Sequence, residues 1–559
     1  MIKVKLFILF ATIASAVAQA LVDPTITFEA GTIVGRERAT VKNVSYDSYE
    51  GIRYGKAPVG DLRFKAPLPA ETLVGVYDAK QPGPACLQPV PGNIIGSEDC
   101  LLLNIYVPKS VTDNACGTPL RAVIVNIHGG GFASGSATTN KPDCFLEDGS
   151  IFIAIQYRLG VLGFLVLDTA DVPGNAGLKD QSLALSWIKK HVSKFGGDPN
   201  NISIFGESAG AISVQLHQIS PMSKGLMTKI MSISGASLCE FSIQQNPMNK
   251  TLQLAANLGE NPNSPDFENK LLTRSAVDII RASQNVKTDI FGSIQEFVFG
   301  PVVERKNLPG VHFITKMPVE YYRLGKYNHV PCIISQASEE FAVFVLFTGT
   351  PLLKLLIDIP RVVIPNSWQT YLSASGIDKV YKVILNFFFG TTAIDLSDHD
   401  QLESAIKLMS DIYILIGTDK VVRELAKTSK APIYYSQFSF TGTINAPFIT
   451  PLGIVGATHA DDIRFLCPSE NPRVGEYTPD GVTRRRLISY YRNLQCKGNP
   501  TPGPYSNLLP TKWLQVTKHT RRINYMEING EVTPSINPNE HRMNFWRDTE
   551  ARVIRGEFD

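Results

Sequence analysis

Asn201-Ile202-Ser203-Ile204-Phe205-Gly206-Glu207-Ser208-Ala209-Gly210-Ala211 reads as a strand, a sharp turn and the start of a helix, with a serine at the apex. Ile202 and Ile204 are β-branched and suit a buried strand, whereas residues 209–217 suit a helix. Gly206 and Gly210 stand two residues either side of Ser208, where side chains would collide with neighbouring backbone in so tight a turn. The helix start points unpaired N–H groups and a positive dipole end toward the serine, which makes the Ala209 N–H a candidate oxyanion donor. The same pentapeptide also fits a small-residue turn with no chemistry, so the rest of the chain has to decide.

A chain of 559 residues, 44% hydrophobic and 19% charged, is long enough for a large core. Its formal net charge is +3 and it has no long basic run, so nucleic acid is not an expected partner. Arg484-Arg485-Arg486 reads as a solvated helix face. Lys3 and Lys5 precede an apolar run ending in small residues, which predicts a signal peptide over residues 1–20, cleaved after Ala18 or Ala20. The run is too short to span a membrane, and residues 552–559 carry neither an apolar tail nor a retention signal. The expected mature protein is soluble and secreted to the extracellular space. Asn43 and Asn249 stand in plausible glycosylation sequons, while the sequon at Asn201 enters the buried strand.

Eight cysteines in an exported chain of this size predict local clips. Cys86 and Cys100 are the clearest pair, closing a loop worth about 3 kcal/mol in the chain-entropy model. Cys116 and Cys144 are possible partners, and Cys239, Cys332, Cys467 and Cys496 stay unassigned. None has zinc-site spacing, and no metal is expected.

Residues 26–28 and 31–35 read as short antiparallel strands, and residues 49–69, rich in Gly, Pro and aromatics, as an ordered surface loop. Residues 122–127 are nearly all apolar, and such a run suits a strand covered on both faces. His128-Gly129-Gly130-Gly131-Phe132 follows, and three glycines let bare N–H groups approach a ligand, so Gly130 and Gly131 are further candidate oxyanion donors. A strand over 151–156, a helix over 178–195 and a strand over 230–234 continue the alternation, predicting an α/β fold with a parallel sheet wrapped on both sides.

Together with Glu98-Asp99-Cys100-Leu101, Gly174-Asn175-Ala176-Gly177-Leu178-Lys179-Asp180-Gln181 and Phe195-Gly196-Gly197-Asp198-Pro199, these motifs make the chain resemble the type-B carboxylesterases of the cholinesterase-like α/β-hydrolase family. The likeness runs from about Thr25 to Phe545-Trp546-Arg547, and within the family it leans toward insect α-esterase-like carboxylesterases. It implies the α/β-hydrolase fold: a large, mostly parallel central sheet flanked by helices, as a single catalytic domain over 21–559. Helical insertions would form an active-site gorge, with Phe344, Phe347, Leu353 and Leu356 as wall candidates. It also implies ion pairs Arg63–Glu98 and Arg158–Asp180.

A serine hydroxyl needs a base, and the base a carboxylate, in the chain order serine, acid, histidine. After Ser208 come His217, His312, His329, His399, His459, His519 and His541. His459, in Gly453-Ile454-Val455-Gly456-Ala457-Thr458-His459-Ala460-Asp461-Asp462, matches the family's histidine loop. The acid by resemblance is Glu340, nine positions after Pro331. Ser335 and Phe341 replace glycines usual in the family, and a bulky Phe341 beside the acid keeps Glu339 as fallback. Glu207 beside the serine either tunes the histidine's charge or is exposed turn polarity.

The expectation is a serine carboxylesterase acting on a small-molecule ester through an acyl-enzyme, with no cofactor. Ser208, His459 and Glu340 would be its triad, and the N–H groups of Gly130, Gly131 and Ala209 its oxyanion hole. The rival is a non-catalytic exported ligand-binding or adhesion protein on the same fold. Among esterases, no tryptophan stands between Cys86 and Cys100, which disfavours quaternary ammonium recognition. A juvenile-hormone-type esterase is a further alternative, weakened because that group typically carries Gln where Glu207 stands.

Overall fold

A computed structural model describes residues 23–109, 116–287, 297–467, 474–518 and 521–559. The leader expected over residues 1–20, and His519, lie outside these.

Strands that are apolar at every position need cover on both faces, and the main sheet supplies it. Its eleven strands are β1 (Arg36–Ala39), β2 (Ser45–Arg53), β3 (Leu102–Pro108), β4 (Arg121–Ile127), β5 (Ile151–Ile155), β6 (Gly197–Glu207), β7 (Lys229–Ile233), β8 (Cys332–Ala337), β9 (Ile433–Phe438), β10 (Asn524–Ile528) and β11 (Val532–Ile536). They lie in the order β11-β10-β9-β8-β7-β6-β4-β5-β3-β2-β1. The block from β5 through β4 and β6 to β10 is parallel, and the flanking strands are antiparallel.

Alternation along each strand sorts residues into two cores. Val123, Val125 and Ile127 of β4 and Ile202 and Ile204 of β6 enter one, whereas Ile124 and Phe205 enter the other. Each such side chain, fully buried, contributes about 1.5–3 kcal/mol. Parallel neighbours require crossovers, and helices supply them on the sheet faces. Those that matter for the site are α1 (Ala176–His191), α2 (Ala209–Ile219), α3 (Ala342–Thr348), α4 (His399–Ser410), α5 (Ile416–Thr428) and α6 (Asp461–Leu466). Helix α1 starts two residues before the expected position and passes into a 3-10 turn, Val192–Phe195, ended by Gly196 at φ 79°. A three-stranded sheet of Thr25–Thr27, Gly31–Val34 and Gly75–Asp78 packs beside it.

Cys86 and Cys100 are bonded, and Arg63 braces their loop with hydrogen bonds of 2.6 and 2.8 Å to Glu98. The buried Arg158 meets Asp180 at 2.8 and 2.7 Å. Cys116 pairs with Cys496, not with Cys144, which is free and buried. The arginine triplet is not a uniformly solvated face either, because Arg486 is buried and donates to the carbonyls of Leu508 and Gly530. Leu353 and Leu356 are core residues, while Phe347 is 74% exposed and walls no interior space.

Candidate active site

At the end of β6 the chain reverses into α2 through Ser208, whose φ of 58° and ψ of −124° no ordinary L-residue well contains. The turn is tight enough to exclude side chains around it. A Cβ on Gly206 would sit 2.4 Å from the Gly210 carbonyl carbon, and one on Gly210 would sit 2.1 Å from the Ile127 oxygen. The Ser208 N–H donates to Ile233 O at 3.0 Å, tying the elbow to β7.

Beyond β4, the glycine run folds over this elbow. A Cβ on Gly129 would lie 3.2 Å from Ser208 Cβ. His128 anchors the run by stacking on Tyr157, whose hydroxyl donates to the His128 carbonyl at 2.8 Å. Burial lowers the His128 pKa to about 4, so this ring is neutral. Among the described residues, the N–H groups of Gly130, Gly131 and Ala209 have no intramolecular acceptor.

The third part comes from two loops after β8 and β9. Glu340, fully buried, accepts the Ala337 N–H at 2.7 Å through Oε1 and meets His459 Nδ1 at 2.7 Å through Oε2. Thr458 Oγ1 accepts the Val343 N–H at the start of α3, and Asp461 accepts the Thr458 N–H at 2.8 Å. Glu339 points elsewhere: its Oε2 is buried without a hydrogen-bond partner, and burial pushes its pKa up to about 7. Phe341 does not tilt Glu340. Its ring packs away from the carboxylate, against Phe344 at 5.1 Å and Tyr413 at 5.7 Å. Ser335, at the other glycine position, donates to Asp462 at 2.9 Å. His217 is spent on Ser223 and Gln181.

The sequence profile of the carboxylesterase family matches residues 22–546. The chain belongs to the carboxylesterase family. It is 32% identical over 498 residues to Esterase FE4 of Myzus persicae, covering 85% of each chain. It is 31% identical over 564 residues to venom carboxylesterase-6 of Apis mellifera, covering 98% of each. The crystal structure of juvenile hormone esterase from Manduca sexta, with OTFP covalently attached, matches with a TM-score of 0.80 at 26% identity, over 95% of this chain and 100% of that one. This carboxylesterase is therefore a carboxylic ester hydrolase of the α/β-hydrolase fold whose substrates are small-molecule esters.

In the esterase, His459 faces two carboxylates. Its Nε2 lies 3.1 Å from Glu207 Oε1, without the alignment of a hydrogen bond. Burial by itself lowers the His459 pKa, but Glu207 and Glu340 outweigh it and hold the ring above its ordinary value. Among the described residues, Ser208 Oγ makes no hydrogen bond. Catalytic hydrogen bonds are often loose without substrate.

An arc of rings connects the glycine run to His459. Phe297 lies 3.3 Å from where a Gly131 Cβ would stand, and its ring meets Phe241 at 4.9 Å. Phe241 meets Tyr413 at 4.6 Å, Tyr413 meets Phe344 at 5.1 Å, and Phe344 meets His459 at 5.6 Å. Tyr413 reaches this position from a π-helical turn, Asp411–Leu415, between α4 and α5. The sequence reading missed Phe241, Phe297 and Tyr413; nothing in their local pattern separates them from core aromatics.

Proposed function

We propose that the esterase cleaves esters with an apolar acyl group by a Ser208, His459 and Glu340 mechanism. Ser208 Oγ attacks the ester carbonyl carbon while His459 Nε2 takes its proton, and the N–H groups of Gly130, Gly131 and Ala209 receive the oxyanion. His459 returns the proton to the departing alcohol, leaving an acyl-serine. Water, deprotonated by His459, then releases the acid and restores the hydroxyl. Glu340 fixes the tautomer with its hydrogen bond to Nδ1 and stabilises the imidazolium.

The observation that carries this reading is the 2.7 Å contact of Glu340 with His459 beside a strained serine whose neighbouring N–H groups have no acceptor among the described residues. The aromatic arc supports an apolar acyl group, since rings bury large area and favour such groups. Export fits the same reading: residues 1–20 would be removed, leaving 21–559 as one catalytic unit, and Asn43 and Asn249 are exposed. Among the described residues no helix is long and apolar enough to cross a membrane.

A non-catalytic binder is the second reading, favoured by the unbonded Ser208 Oγ. Rapid mixing with 4-nitrophenyl acetate separates the two. The enzyme reading expects a nitrophenolate burst stoichiometric with protein and an acetyl adduct on the Ser208 peptide by mass spectrometry. Absence of both overturns it.

A further inference from the structure

Between the three-stranded sheet and α1 lies a cavity of about 870 Å³ that shares no residue with the aromatic arc. Its floor is Ile33, Ile52 and Tyr54, all buried. Phe28, Tyr77 and Trp187 line it as half-buried rings. The two tyrosine hydroxyls are already used, Tyr54 donating to Gln156 O and Tyr77 to Gly51 O, each at 2.6 Å. What those tyrosines offer a ligand is therefore ring surface.

One edge of this apolar basin is cationic. Lys190, His191 and Lys194 follow one another at the end of α1 and in the 3-10 turn. Lys194 Nζ lies 5.2 Å over the Phe28 ring, with no carboxylate partner, and Lys190 has no partner among the described residues. The other lining cations are neutralised: Lys56 pairs with Glu71 at 3.2 Å and Arg53 with Asp99 at 2.5 Å. Glu29 is the lining acid without an ion pair among the described residues, and Lys194 Nζ, which donates to the Thr27 carbonyl at 3.5 Å, and Lys190 both lack a carboxylate there. His191, packed on Trp187 at 4.9 Å, has its pKa lowered first by burial and then by the positive charges of Lys190 and Lys194.

An apolar, aromatic cavity of this size with a few convergent polar groups is built for a small ligand. We propose that it binds an acyl-chain carboxylate, the tail on Phe28, Trp187 and Tyr77 and the head group at Lys190 and Lys194. Such acids are also the products of ester hydrolysis, and binding here leaves the serine site open.

The chain carries its own reporter. Of its four tryptophans, Trp368, Trp513 and Trp546 are exposed by 2% or less, and Trp187 alone is half-buried, in this cavity. Titrating the full-length esterase with sodium dodecanoate below its micellar range should give a saturable change in tryptophan fluorescence that Trp187→Phe abolishes. Lys190→Glu with Lys194→Glu should weaken binding at least about tenfold, with 4-nitrophenyl acetate turnover unchanged, and dodecanol should bind at least about tenfold more weakly than dodecanoate. No saturable change, an unaltered affinity in the lysine variant, or equal binding of dodecanol would each overturn the proposal.

Discussion

Ser208 and His459 are held by different means. Around the serine the restraint is backbone: Gly206 lies on Gly210, Gly210 lies on the Ile127 carbonyl, and a Cβ at either position has nowhere to go. Around the histidine it is a set of side-chain hydrogen bonds, in which Glu340 reaches the ring, Thr458 reaches α3 and Asp461 reaches back to Thr458. The first kind of restraint admits one residue type per position. The second leaves residue type freer nearby, so that Ser335 bonded to Asp462 and Phe341 packed on Phe344 both fit beside the acid.

The difference can be broken from either side. The largest expected effect is Ser208→Ala, which should lower kcat for 4-nitrophenyl acetate by about 10⁵-fold, judged against other serine hydrolases, while circular dichroism and Tm stay unchanged. Next comes Glu340→Gln, expected to lower kcat about 10⁴-fold by losing tautomer control. Glu339→Gln should change kcat less than about threefold, because its carboxylate lies outside the proton path. If the two variants behave alike, the assignment of the acid fails. Gly210→Ala should lower stability by about 1–3 kcal/mol in chemical unfolding and reduce activity with it, since the only relief moves Ile127 and the glycine run that follows. Phe341→Gly should leave kcat within about threefold but cost about 3 kcal/mol in stability from the lost ring packing. Normal stability there would mean the ring does not support the site.

A further test reads the charge around His459. Two carboxylates raise the pKa of this ring, and catalysis needs its neutral form, so activity should rise as pH rises through that pKa. Glu207→Gln removes one carboxylate and lowers the pKa. The acidic limb of the kcat/KM profile should then move to lower pH by about one unit. An unmoved limb, or one displaced to higher pH, would mean Glu207 does not stabilise the imidazolium.

The same contrast explains what could be read from the sequence. Gly206, Ser208 and Gly210, and the run after His128, are visible because backbone geometry dictates the residue type. The two-core sheet is visible too, since residues 122–127 and 202–205 carry one polar residue each, Asn126 and Ser203, too few to mark an exposed face. Glu339 and Glu340 are adjacent carboxylates, and only the turn after β8 decides which one meets the histidine. Tyr413 depends on a π-helical turn that no residue pattern announces. Trp187 and Lys190 belong to a helix whose amphipathic pattern looks the same whether its outer face meets water or borders a cavity.

Cys116 and Cys496 stand 380 positions apart in sequence, and Ser208, Glu340 and His459 all fall between them. The proposed triad therefore lies within one covalent ring. A protease that nicks an exposed turn inside it, such as the one bearing Val455 at 84% exposure, leaves two fragments that migrate together on a gel. Only a thiol reductant would separate them.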